Sequence, residues 1–155
     1  MNNKCLCINI TSEEVIMMSK KVSSIMWFGI AIQSLLVLAK NDGLYPSSKI
    51  ADKLNSESAF LRKILSHLVK AGLIQAKEGR DGGYSLAKEP DQIVLADIYA
   101  AIKSEPFSKG FLDVDNKQCF DQSSLIALCN LKNEMESWII SGLKEKTLAD
   151  LLSDK

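Results

Sequence analysis

Apolar residues recur along this chain at two spacings, one helical and one alternating. From about Ser23 to Lys40 they fall on most faces of one helix, the pattern of a central helix packed on several sides. Asn41-Asp42-Gly43 stops it. Pro46-Ser47-Ser48 follows, and a serine there is expected to cap a short helix, Lys49 to Leu54, by accepting from a free backbone N–H. Ile50, Ala51 and Leu54 give that helix one apolar face. After the tight turn at Asn55-Ser56, a second helix over about 57–71 carries Leu61, Ile64, Leu65, Leu68 and Val69 at helical spacing. Ala59, Arg62, Lys63, Ser66 and Lys70 form its opposite stripe. Gly72 stands where a glycine closes a helix.

The period then changes. Leu73 to Lys77 and Gly83 to Ala87 read as two short strands around a glycine-rich tip, Glu78-Gly79-Arg80-Asp81-Gly82. Leu95 to Lys103 is predicted helical, with Val94 a poor cap. Residues 104 to 121 are irregular. A long helix follows from about Ser123 to Glu145, with Leu125, Leu128, Leu131, Met135, Trp138, Ile139 and Leu143 as its apolar stripe. Thr147-Leu148-Ala149-Asp150 reads as a capping box with Asp in place of Glu, opening a final short helix. Residues 1 to 17 show no helical stripe and read as a loose extension. Met18-Ser19-Lys20-Lys21 would open the compact part naturally, so Met1, Met17 and Met18 all stand as candidate starts.

Composition narrows the function. The chain of 155 residues is about one domain's worth, ordinary in its 46% hydrophobic and 25% charged content. Net charge is zero, so any nucleic-acid case must rest on local charge. From Lys49 to Arg80 there are seven cations and three acids, a net charge of +4. The stripe on the second helix is small and basic, as a helix in the major groove of DNA must be. Ser58, Ala59, Arg62, Lys63 and Ser66 would face that groove. Lys49, Lys77 and Arg80, with Gly82 and Gly83 of the hairpin, would serve phosphate or wing contacts. A basic stripe on one helix is by itself only a solvated face. The order helix, tight turn, basic helix, glycine-tipped hairpin is more specific, and it predicts a mainly α (α+β) winged helix-turn-helix. The alternative is a winged helix used as a protein-interaction module without DNA binding.

Other classes find little support. The four cysteines, Cys5, Cys7, Cys119 and Cys129, make no C-x-x-C pair and there is one histidine, so a structural zinc site is not expected. The apolar run Ile25 to Ala39 is short for a membrane span of about 20 residues. No segment has the plan of a signal peptide. These readings place the chain in a reducing cytoplasm, away from membranes, with free thiols. A Cys–His nucleophile pair would need His67, which falls on the groove helix. With no glycine-rich phosphate loop and no paired carboxylates, no enzyme is expected.

Three segments, Ser48-Lys49-Ile50-Ala51-Asp52-Lys53-Leu54, Phe60-Leu61-Arg62-Lys63-Ile64-Leu65 and Leu68-Val69-Lys70-Ala71-Gly72-Leu73-Ile74, together resemble the Rrf-two (BadM-type) family of bacterial transcription regulators. Gly82-Gly83-Tyr84-Ser85-Leu86-Ala87 looks like that family's wing, and Val94 to Ile98 and Thr147 to Leu152 fit its later segments. The resemblance covers about Ser19 to Leu152. It implies a homodimeric repressor binding duplex operator DNA, whose long helix crosses to the partner subunit through Leu125, Leu128, Leu131, Met135, Trp138 and Ile139. The implied divisions are an N-terminal extension (1–18), a winged-helix domain (19–104), a linker or sensor loop (105–122) and a dimerisation helix with its short C-terminal helix (123–155). Iron–sulfur members carry three closely spaced cysteines before the long helix. Only Cys119 and Cys129 stand in that region here, so the cluster-free branch fits better and no cofactor is expected. Cys119, at the start of the long helix, is the candidate sensor thiol, although Asp113, Asp115 and Asp121 would oppose a thiolate there. An inert cysteine at this position and sensing of a small effector are the alternatives to weigh. Cys129 is expected in the core. The wing departs from the family's R-G-x-G-G-G-Y, reading Glu78-Gly79-Arg80-Asp81-Gly82-Gly83-Tyr84.

Overall fold

The structure, a computed structural model, describes residues 24–102 and 121–152. Its elements are α1 (Ser24–Ala39), α2 (Ser47–Leu54), α3 (Ser58–Lys70), β1 (Ile74–Lys77), β2 (Gly83–Leu86), a 3-10 turn (Pro90–Gln92), α4 (Leu95–Ile102), α5 (Gln122–Lys144) and α6 (Leu148–Leu152). The 3-10 turn was not predicted; the other elements each match a predicted one, with the bounds that were given moved by no more than two residues. The expected extension over residues 1–18, with its candidate starts and Cys5 and Cys7, lies outside the described residues. So does Cys119, with all of the 105–122 loop except Asp121 and Gln122.

The core forms around α1. Its apolar residues cover most of its circumference, and α2, α3, α4, α6 and β2 all pack against it. Ala31, Leu35 and Leu38 are buried. Ser34 is fully buried too, and its hydroxyl donates to the Ile30 carbonyl at 2.7 Å, which removes the cost of an unpaired polar group in the core. Among the described residues no helix is long and apolar enough to cross a membrane.

The helix ends follow from local chemistry. At the end of α3, Gly72 takes φ +68°. That turn lets the Leu73 N–H donate to the Leu68 carbonyl at 3.0 Å and the Gly72 N–H to the Val69 carbonyl at 2.9 Å. This is the paired closure that a left-handed residue permits, and it folds Leu73 onto Leu68, both buried. Asn55 (φ 46°) closes α2 in the same way, with the Ser56 N–H donating to the Ala51 carbonyl at 3.0 Å. The start of α2 corrects one expectation. Pro46 is the entry residue and no serine side chain caps the helix. The ring fixes φ at −64°, and Ser47 and Ser48 fall inside the first turn, past the capping position.

β1 and β2 pair antiparallel from Ile74–Leu86 to Lys77–Gly83, leaving Glu78 to Gly82 as the tip. The hairpin also has a partner that the sequence pattern did not reveal. Tyr45 and Tyr84 exchange both backbone hydrogen bonds, at 2.8 and 2.9 Å. The α1–α2 connection thereby pins the outer edge of β2.

A second long-range exchange fixes the C-terminal end. The Leu95 N–H, the orphan left by the poor cap at Val94, donates to the Lys146 carbonyl at 2.9 Å. In return the Leu148 N–H donates to the Ile93 carbonyl at 2.8 Å. The expected capping box is present: the Thr147 N–H donates to Asp150 Oδ2 at 2.7 Å and the Asp150 N–H to Thr147 Oγ1 at 3.4 Å. Leu148 itself is fully buried in the core.

Between these anchors, α5 packs on α4 and contains no buried residue. Asp121 caps it, accepting from the Ser123 hydroxyl at 2.5 Å and the Ser124 N–H at 3.2 Å. These bonds, that from Ser123 foremost, hold the Asp121 carboxyl below its ordinary value. Cys129 is exposed, which corrects its expected core position. On a helix that buries none of its residues, a cysteine close to leucines in the sequence need not be buried. Replacing Leu148 with Ala should destabilise the fold by about 2–5 kcal/mol, read as a lower urea midpoint with unchanged slope.

Candidate nucleic-acid interface

The inner stripe of α3, Leu61, Ile64, Leu65 and Leu68, is fully buried. Burying that side turns the opposite one outward, and Ser58, Ala59, Arg62, Lys63 and Ser66 are all exposed. Small side chains at positions 58, 59 and 66 keep the helix surface low, so another surface can approach closely. The Arg62 Nε donates to the Ser58 carbonyl at 3.2 Å, laying the guanidinium back along its own helix. α2 packs beside α3, with Lys49 and Lys53 exposed.

Two of these cations rest on aromatic rings. Lys63 Nζ lies 5.1 Å from the centre of the Trp27 ring, and Lys53 Nζ lies 5.2 Å from that of Tyr45. Trp27 also meets Phe60 edge-on at 5.2 Å and His67 at 6.1 Å. His67 is half-buried at this edge of α3. Sequence reasoning passed over Trp27, Tyr45 and Lys53. Tyr45, an aromatic between Gly43 and Pro46, was the one available hint of an extended residue next to the hairpin.

At the wing, Lys77 and Arg80 are exposed, as are the flanking Glu78 and Asp81. Gly82 and Gly83 have a steric reason for their identity. A Cβ on Gly83 would stand 2.8 Å from the backbone of Tyr45, and one on Gly82 would run into the Lys77 carbonyl. Gly83 is buried at the base of the hairpin. The missing side chain lets β2 approach the Tyr45 backbone. All seven cations between Lys49 and Arg80 are exposed, so the local positive charge read from the sequence is on the outside of the fold.

The α5 stripe divides in two. Leu125, Leu128, Met135 and Ile139 are half-buried, whereas Leu131 is 41% and Trp138 64% exposed. Cys119 lies outside the described residues, and Cys129 is a free, exposed thiol.

The chain matches the Rrf2 (Rrf-two) family, described as iron-dependent transcriptional regulators, over residues 27–154. A Synechocystis sp. protein named as an HTH-type transcriptional regulator, slr0846, is 34% identical over 131 residues, covering 80% of this chain and 83% of the relative. CymR of Bacillus subtilis, an HTH-type transcriptional regulator, is 35% identical over 85 residues, 54% of this chain and 60% of its own. The solved structure of T. potens IscR superposes with a TM-score of 0.60 at 27% identity, covering 88% of each chain. An iron–sulfur cluster normally takes four ligands, most often cysteine thiolates. Beyond residue 7 the sequence offers only Cys119 and Cys129, and among the described residues no three His, Cys, Asp or Glu side chains gather as metal ligands. The relatives are regulators of transcription rather than enzymes. A winged helix-turn-helix with this match over most of its length belongs to the Rrf2 family of DNA-binding transcriptional regulators.

Proposed function

We propose that this chain acts in the bacterial cytoplasm as a homodimeric repressor, binding duplex operator DNA through α3 and the β1–β2 wing. The observation that carries this reading is the outward face of α3. A major groove about 12 Å wide admits one helix, and α3 offers a low surface of Ser58, Ala59 and Ser66 with Arg62 and Lys63 among them. Arg62, whose fork can bond two acceptors of one guanine, is the base reader. Lys63, Lys49, Lys77 and Arg80 are the phosphate contacts. Gly82 and Gly83 hold the wing tip where Arg80 can reach.

The homodimer is supported by α5, which buries no residue within its own subunit. Leu131 and Trp138, seven residues apart and hence on one line of the helix, are exposed. A partner's copy would cover them together with Leu125, Leu128, Met135 and Ile139. For the signal, a thiol change at Cys119 is the first reading and a small effector the second. The solved B. subtilis CymR is described as the global cysteine regulator of that organism, and Cys119 stands two residues before the capping Asp121 of this chain.

Fluorescence anisotropy over a salt series, against a duplex enriched from a random-sequence library, tests the DNA reading. Arg62→Ala should cost about 1–3 kcal/mol on that duplex and relax its base preference. Lys63→Ala should weaken binding to all sequences and lower the salt slope by about one. Identical behaviour of the two variants would contradict the division of roles, and a wild-type chain with no salt-sensitive binding would favour the protein-interaction module. Trp138→Glu should sediment as a monomer at concentrations where the wild type sediments as a dimer; a monomeric wild type removes the dimer. Peroxide or disulfide treatment should shift operator affinity in the wild type but not in Cys119→Ser. If that variant responds like the wild type, the thiol switch is excluded and the effector remains.

A further inference from the structure

We propose that Trp27 is a positioning residue for DNA binding: its ring, at the start of α1, holds the Lys63 ammonium at the edge of α3, poised for a phosphate. The proposal rests on the reading of α3 as the groove helix.

Trp27 lies along one flank of α3. It meets Phe60 edge-on at 5.2 Å (86° between planes) and His67 at 6.1 Å (69°). These residues are seven apart, so one line of α3 runs past the ring. Lys63 falls between them, with Nζ 5.1 Å from the ring centre. That is within the range over which an indole face, the strongest of the aromatic faces, attracts a cation. Phe60 and His67 of α3 pack against the same ring, so its plane is set by packing and the lysine settles on a positioned surface.

Two consequences follow. A lysine carries a long flexible stem, and ordering it on contact with DNA weakens binding; confinement before contact removes part of that cost. The choice of a ring also matters. A carboxylate partner would hold the ammonium but neutralise it, and DNA would have to displace it. An aromatic face leaves the full positive charge in place, with N–H donors still free on the side away from the ring. Arg62 is held from the other direction, by the Ser58 carbonyl of its own helix. The two cations at the middle of α3 are thus fixed by different partners, one of them on α1.

The test is a double-mutant cycle on DNA affinity, with the library-enriched duplex and the full chain. Trp27→Leu should bind about threefold more weakly with an unchanged salt slope, because Lys63 keeps its charge. Trp27→Phe should recover part of the loss. Lys63→Met should lower the slope by about one, and in that background Trp27→Leu should change nothing further. Thermal unfolding of each variant identifies any that fails to fold, in which case the Phe variant carries the cycle. In the free protein, the Lys63 side-chain methylene resonances should be shifted upfield by the ring and relax toward ordinary values in Trp27→Leu. Wild-type affinity in Trp27→Leu, an equal loss in the Lys63→Met background, or unshifted Lys63 methylenes would each overturn the proposal while leaving DNA binding intact. Absence of salt-sensitive binding by the wild type would instead remove the reading of α3 on which the proposal stands.

Discussion

Everything in this fold depends on the burial of α1. A helix that is apolar on most faces cannot lie on a surface, so other elements must wrap it, and α2, α3, α4, α6 and β2 all do. That constraint decides which side of α3 meets water. Once Leu61, Ile64, Leu65 and Leu68 turn inward, Ala59, Arg62, Lys63 and Ser66 are left outside. The proposed binding face is the complement of the core, and its chemistry is whatever the outer stripe of one helix provides.

Features encoded within one turn of chain were readable in the sequence, and features made by distant segments were not. The stripe of α3, the closing Gly72, the five-residue hairpin tip and the Thr147–Asp150 box each involve residues close together in the chain, and each stands in the structure as read. Val94 looked like a poor helix start because the acceptor that serves the Leu95 N–H, the Lys146 carbonyl, comes from far along the sequence. The Tyr45–Tyr84 exchange is hidden for the same reason. The serine cap on α2 failed because Pro46 already fixes the entry. Cys129 failed because apolar periodicity was taken as burial on a helix whose subunit buries none of it. The exposed, charged face of α3 was readable because exposure and charge both follow from periodicity. The aromatic supports, Trp27 and Tyr45, were not, since a ring beneath a lysine is a tertiary fact.

The wing shows how a sequence motif can have a packing cause. Gly82-Gly83 matches the family's hairpin, and a functional reading would place both glycines at the nucleic acid. The close approach of the Tyr45 backbone to Gly83 gives that residue a sufficient reason inside the fold. The same approach joins the wing to the helix-turn-helix. Tyr45 bonds β2 through its backbone while its ring lies under Lys53 of α2. Hairpin and helix pair are thereby held in one relative position, which a bipartite contact with DNA requires.

The long helix is held unequally at its two ends, and this bears on how a signal at its start would reach α3. At the C-terminal end the chain is tied to the core by the reciprocal bonds at Leu95 and Leu148 and by the burial of Leu148. At the N-terminal end α5 is closed within its own first turn, by Asp121 on Ser123 and Ser124. A change in charge near Asp121 would act on the end whose hydrogen bonds among the described residues are local, while the other end stays fixed. The path onward is short: α5 packs on α4, and α4 packs on both α1 and α3. A shift of α5 relative to α4, or of one subunit's α5 against its partner's, would be felt two contacts away from the groove helix. Such coupling needs two discrete arrangements that a signal can bias. A helix tied to the core at its C-terminal end, with its exposed line covered by the proposed second copy, is an element able to supply them.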